Sequence, residues 1–237
     1  MATVGIDFSR VGSALSSPSR SVIIDHLLGG GSISASMLAK AARIAPSTAS
    51  GHLSALVAAG FIIESASGRN RFYSLAGPDV AEALEALARI CPPVPVRGLT
   101  QSLTNQRLAF ARTCYDHLAG HVGVAILDAL VSRRWIQPDG PYYDLTAAGA
   151  EGLRALGVDI DAATHARRTF ARPCLDWTER RFHLAGALGA ALCECLIERG
   201  WFRRTGLSGR GLALAREGEA GLSMLGVNSS SLVRVAS

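Results

Sequence analysis

Apolar residues near the start of the chain recur at helical spacing in a series of short segments. Ser17 followed by Pro18 is typical of a helix start, because serine caps a helix and proline is tolerated at the first helical position. The glycines at 29–31 predict the end of this helix. Ser34 then predicts the start of a short second helix over 35–43.

A tight turn at 44–46 separates that helix from a third one, predicted over 47–59. One face of the third helix is apolar, and it carries Ala49, Leu53, Leu56 and Val57. Two strands, 61–65 and 71–75, are predicted around a polar turn, and a last helix is predicted over 78–90. This order of helix, turn, helix and hairpin is that of a winged helix-turn-helix.

Prolines at 92, 93 and 95 predict an extended linker over 92–105. The linker divides the chain into a winged helix-turn-helix domain over 1–91 and a second domain over 106–237. We therefore expect a mainly α-helical fold with small β-hairpins.

The second domain contains an internal repeat, with copies over about 106–160 and 165–228. Residues 117–136 and 183–202 are identical at nine of twenty aligned positions. Each copy is predicted to fold as a long helix, a short hairpin and a short helix, which makes this a duplicated helix-hairpin-helix domain. Effector sensing and dimerisation are the expected roles of such a pair of copies.

The third helix combines its apolar face with an opposite face of small polar residues, as a helix that enters the DNA major groove requires. These predicted DNA-binding residues are Ser47, Thr48, Ser50, Gly51 and His52. The tip of the hairpin carries basic and polar groups that suit the phosphate backbone or the minor groove. They are Arg69, Asn70 and Arg71.

At these residues the sequence resembles the ArsR family of bacterial winged-helix regulators. The resemblance rests on SPSRSVIIDHLL (17–28), ASMLAKAARIAPSTASGHLSALVAAGFI (35–62) and SGRNRFYSL (67–75). It implies a winged helix-turn-helix, a homodimer joined through its first and last helices, and a repressor of its own operon. It also implies that an effector releases the protein from its double-stranded DNA operator.

Four departures from the family pattern change what can be expected. Arg43 stands where a glycine is usual, so a different turn geometry is expected, and Ala45 removes the usual serine cap before the third helix. Gly51 weakens that helix but permits a close approach to DNA. Residues 35–43 hold no Cys, His or Asp, and 78–90 lacks a His and carboxylate set, so neither family metal site is expected here.

Matching Arg-x-Cys-x-Asp motifs begin the two copies and supply candidate effector residues. The set is Cys114, Asp116, His117, Cys174, Asp176 and His183. Two thiolates that meet could bind a soft metal or metalloid ion or form a regulatory disulfide. A structural role is favoured over sensing, because the Arg and Asp at i and i+4 suit a helix ion pair and a buried cysteine often serves as a small apolar residue.

Other polar residues of the second domain are less suited to a metal site. His121 shares a helical face with Cys114 in this interpretation, but its counterpart in the second copy is Ala187, which excludes a symmetric site. Cys193 and Cys195 point to different sides of a helix and are assigned to the core. The six extra residues at 177–182 form either a small-molecule pocket or a longer turn.

Composition limits the class of protein without identifying it. The 237 residues carry a net charge of +5, which is compatible with nucleic acid binding, and five cysteines, which do not suggest a disulfide framework. We expect a cytoplasmic regulator that is neither an enzyme nor a membrane protein. A thiol- or metal-dependent enzyme and a protein-binding adaptor that uses the repeat are the alternatives.

Overall fold

The computed structural model describes residues 8–91, 95, 98–205, 209–227 and 232, and the chain divides into two compact units. Unit 1 comprises residues 1–86 together with 207–209, and unit 2 comprises 87–206 together with 210–237. Most of the proline-rich segment at 92–97 lies outside the described residues.

Unit 1 consists of five helices around a three-stranded antiparallel sheet among its described residues. The elements are α1 (Phe8–Leu15), α2 (Pro18–Leu27), β1 (Ile33–Ser34), α3 (Ala35–Ala42), α4 (Pro46–Ala58), β2 (Ile62–Ser67), β3 (Asn70–Leu75) and α5 (Pro78–Ala88). The strand order is β1–β3–β2, so β2 and β3 form the hairpin and β1 extends its sheet. This is a winged helix-turn-helix, in which α4 is the second helix of the motif and the β2–β3 hairpin is the wing.

Local sequence sets the start and end of the helices in the motif. The Ser34 hydroxyl accepts a hydrogen bond from the amide of Met37, which caps α3. Arg43 ends α3 in the left-handed conformation, with φ 54° and ψ 43°. The expectation of a different turn geometry is therefore wrong, because arginine adopts the conformation that glycine usually supplies, at a cost of about 1–2 kcal/mol.

Unit 2 contains a longer series of helices and short antiparallel strand pairs. Its elements are α6 (Leu99–Phe110), β4 (Arg112–Cys114), β5 (His117–Ala119), α7 (Gly120–Ser132), β6 (Ile136–Asp139), β7 (Tyr142–Leu145), α8 (Ala147–Ala155), α9 (Ile160–His165), β8 (Arg172–Leu175), β9 (Phe182–Ala185), α10 (Gly186–Glu198), β10 (Phe202–Arg204), β11 (Leu212–Leu214) and α11 (Arg216–Met224). Helix α6 occupies the second half of the predicted linker, so that part is helical.

A hairpin precedes the long helix in each half of unit 2, at residues that were predicted to be helical. The β4–β5 and β8–β9 hairpins precede α7 and α10. Gly120 and Gly186 separate strand from helix with φ values of +80° and +87°, which glycine adopts without strain. A Cβ on either residue would also lie within 2.7 Å of a backbone carbonyl oxygen. The predicted order of helix, hairpin and helix therefore lacks the first element of each half.

The largest buried cluster lies in unit 2 and is built from matching parts of its two halves. Helices α7 and α10 are apolar along most of their length, and they supply much of this core. Helix α7 contacts β9, and α10 contacts β5, so each helix packs against the hairpin of the other half. No helix in the described part of the chain is long and apolar enough to cross a membrane.

Candidate DNA interface and cysteine–histidine cluster

Helix α4 has two contrasting faces. Ala49, Leu53 and Leu56 are buried and attach the helix to the core of unit 1. Most of the predicted DNA-binding residues lie on the exposed side; they are Ser47, Thr48, Ser50 and Gly51. Gly51 has no side chain, so the backbone of α4 can approach another molecule closely at this position. The helix begins at Pro46 without a side-chain cap, as the presence of Ala45 predicts.

His52 differs from the other predicted residues of α4 because its ring is half-buried. Its Nδ1 atom lies 3.4 Å from Nη1 of Arg20 on α2. The Arg20 guanidinium also donates to the carbonyl oxygens of Ser13 and Ala14, each at 2.6 Å. These contacts orient one nitrogen of His52 toward α2, so this residue is less available to a partner than its four neighbours.

The wing presents its basic residues in two different settings. Arg69 and Asn70 are exposed at the tip, where Ser67 pairs with Asn70 across the Gly68–Arg69 turn. Arg71 is 69% exposed, and its Nη1 atom lies 3.0 Å from Oε1 of Glu64 on the neighbouring strand. An exposed pair of this kind is weak and can be exchanged for a phosphate contact.

Unit 2 brings four of the six predicted effector residues into one buried cluster. Cys114 pairs with His117 across β4–β5, and Cys174 pairs with His183 across β8–β9. Directly opposed residues of an antiparallel pair project from the same face, so each hairpin presents one thiol and one imidazole. The candidate ligand atoms of all four residues lie within 4.8 Å of one another, and all four residues are buried. We call these four residues the Cys/His cluster.

The hairpin geometry corrects the interpretation of the two Arg-x-Cys-x-Asp motifs as helical. Both motifs begin in β-strands, so the helical spacing that the expected i to i+4 ion pair requires is absent from them. Instead Nη2 of Arg112 donates to Oδ2 of Asp176, in the other half, at 2.9 Å, and both side chains are at most 1% exposed. The predicted helical face shared by Cys114 and His121 is also wrong, because Cys114 lies on β4.

Asp176 stands next to the cluster and is held by several donors. It accepts hydrogen bonds from Arg112, from the amides of Gly120 and Glu179, and from both the amide and the hydroxyl of Thr178. Burial by itself raises the pKa of Asp176, but contacts with His183, Arg112, Thr178 and Gly120 outweigh it and hold the pKa well below its ordinary value. The carboxylate is therefore ionised and rigidly oriented.

The two histidines of the cluster have opposite pKa shifts. Burial, reinforced by the charges of His183 and nearby arginines, lowers the pKa of His117 well below its usual value, so this ring is neutral. Burial also lowers the pKa of His183, but Asp176 and Cys174 outweigh that effect and raise it. Nδ1 of His183 lies 3.4 Å from Oδ2 of Asp176, and the two imidazole rings are 5.1 Å apart between centroids.

The remaining candidates of unit 2 lie outside the cluster. Oδ2 of Asp116 accepts from Nη1 of Arg168 at 2.6 Å, which connects the segment before β8 to the β4–β5 turn. His121 contacts Oε2 of Glu179 at 3.1 Å on the partly exposed side of α7. Cys193 and Cys195 are buried in the apolar core, as predicted.

The six extra residues of the second half form the turn between β8 and β9 together with the first residue of β9, and three of them line an open groove. Asp176 caps the turn, and the ring of Trp177 lies 4.6 Å from the Arg112 guanidinium carbon. Arg180, Arg181 and Phe182 line a groove of about 590 Å³ together with residues of α7. The geometry is thus compatible with both alternatives, a longer turn and a small-molecule pocket.

Sequence reasoning named all four cluster residues in one set of effector candidates but did not predict that their ligand atoms lie close together. It also missed the ion pair between Arg112 and Asp176, which joins the two halves. A signal was present in the repeat, because each copy supplies one Cys followed by one His, with two intervening residues in the first copy and eight in the second. Matching ligand types in both copies indicates that a site could be shared between them.

A winged helix-turn-helix with an exposed polar second helix and a basic wing defines a DNA-binding regulator. The comparisons agree with this class. Residues 15–65 match the family model described as a helix-turn-helix domain. The uncharacterized HTH-type transcriptional regulator YdfF of Bacillus subtilis (strain 168) is 42% identical over 198 residues, which are 84% of this chain and 88% of that protein. The chain belongs to the HTH-type transcriptional regulators.

Some solved structures resemble part of the chain. One is the homodimeric winged helix-turn-helix DNA-binding domain Mb0332 from Mycobacterium bovis, a possible ArsR-family regulator, with 32% identity and a TM-score of 0.32. It covers 38% of this chain and 88% of that chain. Another is the cadmium sensor CMTR from Mycobacterium tuberculosis, with 32% identity, a TM-score of 0.31, and coverage of 38% of this chain and 94% of that chain.

Proposed function

We propose that the chain is a homodimeric, sequence-specific repressor that reads duplex DNA with α4 and the wing. The observation that carries this proposal is the exposed face of small polar residues on α4, at Ser47, Thr48, Ser50 and Gly51. Small side chains allow a helix to lie deep in the major groove, where hydroxyl groups reach base edges. The exposed Arg69 at the wing tip supplies a cation for the phosphate backbone or the minor groove.

Homodimerisation and repression follow from the resemblance to the ArsR family. A dimer with two-fold symmetry places two copies of α4 about one helical turn of DNA apart. The operator should therefore contain two inverted half-sites. Repression fits a protein that covers such a site and is displaced when an effector lowers its affinity for DNA.

The effector site in this proposal lies in unit 2, which forms a duplicated domain. The reason is chemical: the Cys/His cluster is buried, and it combines two thiols with two imidazoles. Perturbed and buried titratable groups collect at functional sites more often than elsewhere. In unit 1 the helices α3 and α5 lack the metal ligands that the ArsR family pattern has at these places.

Selection from a randomised duplex library with the full chain tests the DNA-binding part. We expect enrichment of an inverted repeat. Arg69→Ala should weaken binding to all sequences and reduce the salt dependence of log K by roughly 0.9 per lost phosphate contact. Ser47→Ala or Ser50→Ala should instead change the base preference.

Arg154→Ala is the matched control, because it removes one exposed arginine from unit 2. Its affinity and salt slope should equal those of the parent chain. A folded protein that enriches no sequence would contradict the proposal. So would an Arg69→Ala variant with parental affinity and slope at several salt concentrations.

A further inference from the structure

We propose that the Cys/His cluster is a tetrahedral binding site for a divalent ion of the Zn²⁺ class. The site is formed jointly by the two halves of unit 2, since Cys114 and His117 come from one hairpin while Cys174 and His183 come from the other. Two thiols and two imidazoles are a donor set that Zn²⁺ prefers, and four protein ligands complete its coordination.

The spacing of the four side chains is close to that of a loaded site. Zn–S and Zn–N bonds of the usual length place the ligand atoms of a tetrahedron on the order of 3.3–3.8 Å apart. In the structure these atoms all lie within 4.8 Å of one another. These distances exceed the tetrahedral spacing by at most roughly 1.5 Å, so we expect small side-chain rotations to close the set around an ion.

The histidines supply a second, independent observation. Nδ1 of His117 and both ring nitrogens of His183 are buried and make no hydrogen bond of regular geometry within the part of the chain that the structure describes; the contact of His183 with Asp176 is long, at 3.4 Å. Buried polar atoms are nearly always satisfied, and exceptions point to a function or to a bound species. An ion at the centre of the cluster would satisfy one nitrogen of each ring.

A carboxylate lies beside His183, as it does beside many metal-bound histidines. Metal-bound histidines usually direct their other ring nitrogen to a carboxylate, which fixes the orientation of the ring. Oδ2 of Asp176 lies 3.4 Å from Nδ1 of His183, on a carboxylate that is itself held by Arg112 and Gly120. This arrangement leaves Nε2 of His183 for the ion.

The packing of the two halves also brings the histidines to the centre. A Cβ on Gly123 of α7 would lie 3.5 Å from Cβ of His183, and one on Gly189 of α10 would lie 3.4 Å from Cβ of His117. Glycine at both positions allows each hairpin to lie directly against the helix of the other half. The ligand set therefore exists only when both halves are packed together.

Charge balance favours a divalent ion over other occupants. Two thiolates and one divalent ion are neutral together, and a neutral group is far less costly to bury than a charged one. The nearest ionised side chains include the pairs Arg112–Asp176 and Arg168–Asp116, each of which is also neutral in sum. A disulfide between Cys114 and Cys174 would involve the two thiols but provide no partner for the buried histidine nitrogens. A bound ion accounts for both the thiols and the imidazoles.

The regulatory meaning of this site rests on the proposed function, whereas metal binding itself does not. If the ion is the effector, its binding changes the affinity of the full chain for DNA. If the ion only stabilises unit 2, it binds without such a change. The two ideas can therefore fail separately.

The test uses the reduced, chelator-treated full chain titrated with Co²⁺ alone and then with Zn²⁺. We expect one Co²⁺ per chain, with the intense visible bands of a tetrahedral site and thiolate-to-metal charge transfer, and displacement of Co²⁺ by Zn²⁺. Cys114→Ser and His183→Gln should each abolish or strongly weaken the tetrahedral spectrum. Cys91→Ser is the matched control, because Cys91 is exposed and outside the cluster.

Several results would overturn the metal site. One is the absence of a tetrahedral spectrum in the reduced parent chain, which does not depend on whether any variant folds. Others are an unchanged spectrum in Cys114→Ser, or air oxidation to a Cys114–Cys174 disulfide in a chain that takes up no metal when reduced. Zn²⁺ binding that leaves affinity for the selected DNA duplex unchanged would support the site and overturn its role as effector.

Discussion

Replacement of Asp176 by asparagine tests whether the ion pair with Arg112 holds the two halves of unit 2 together. The substitution keeps the size of the side chain and removes its charge. Arg112 then remains fully buried without an opposite charge, since its side chain is 1% exposed. Breaking a buried pair by removal of one partner costs about 3–5 kcal/mol of unfolding free energy.

Asp128→Asn provides the matched control at an exposed pair. Asp128 contacts Arg181 at 2.8 Å, but these side chains are 49% and 59% exposed. Exposed pairs contribute at most about 1 kcal/mol. The two substitutions make the same chemical change, so a difference between them reflects burial and the extra donors that Asp176 accepts.

Urea unfolding of the metal-free, reduced full chain, followed by tryptophan fluorescence, measures the effect. The three tryptophans, at 135, 177 and 201, all belong to unit 2, so the signal reports on that unit. With a urea dependence of about 2 kcal/mol per molar, Asp176→Asn should lower the midpoint by roughly 1.5–2.5 M. Asp128→Asn should shift it by less than about 0.5 M.

A double substitution checks the physical reason for that loss. Arg112→Met combined with Asp176→Leu removes both charges and should destabilise unit 2 less than Asp176→Asn does alone, because no unpaired charge remains. Equal midpoints for Asp176→Asn and Asp128→Asn would refute the reasoning. A double variant less stable than Asp176→Asn would show that something other than the unpaired charge causes the loss.

Two further predictions concern a helix cap and a core thiol. Ser34→Ala should destabilise the start of α3 by about 1 kcal/mol and speed amide exchange at Met37. Ser17→Ala is the control and should have no such effect on α2, because Ser17 makes no side-chain cap. Equal effects of the two substitutions would contradict the cap. Burial raises the pKa of Cys193 to about 12, so roughly one thiol in ten thousand is ionised at pH 8. In the native chain an alkylating reagent should therefore modify the exposed Cys91 and spare Cys193, as mass spectrometry of the peptides can measure; rapid labelling of Cys193 would contradict its placement in the core.

The helices of unit 1 could be predicted from sequence because their signals are local. The predicted bounds of the two motif helices, 35–43 and 47–59, differ from Ala35–Ala42 and Pro46–Ala58 by one residue at most at each end. Serine, proline and the apolar spacing determine these elements within a few residues. The short strand β1 escaped prediction, since it consists of two residues and exists only by pairing with β3.

The hairpins of unit 2 could not be predicted in the same way, because their stabilisation is not local. Residues 117–119 and 183–185 continue directly into apolar helices, and short apolar runs do not distinguish a strand from a helix. The decisive features are the positive φ angles at Gly120 and Gly186 and the contacts with the opposite half. Neither feature leaves a periodic pattern in the sequence.

The same limit explains why the four cluster residues were predicted as effector candidates but not as one four-ligand site. Within one copy, Cys114 and His117 form only half of a four-ligand site, and a helical interpretation gives His121 a place that the structure does not support. The second half of the set comes from the repeated segment of sequence, and the two halves meet because each hairpin packs against the helix that follows the other hairpin. The two aspartates of the repeated motifs have different partners: Asp176 lies beside His183, while Asp116 pairs with Arg168. Each repeated segment thus provides one cysteine and one histidine, and the Asp176 carboxylate orients His183.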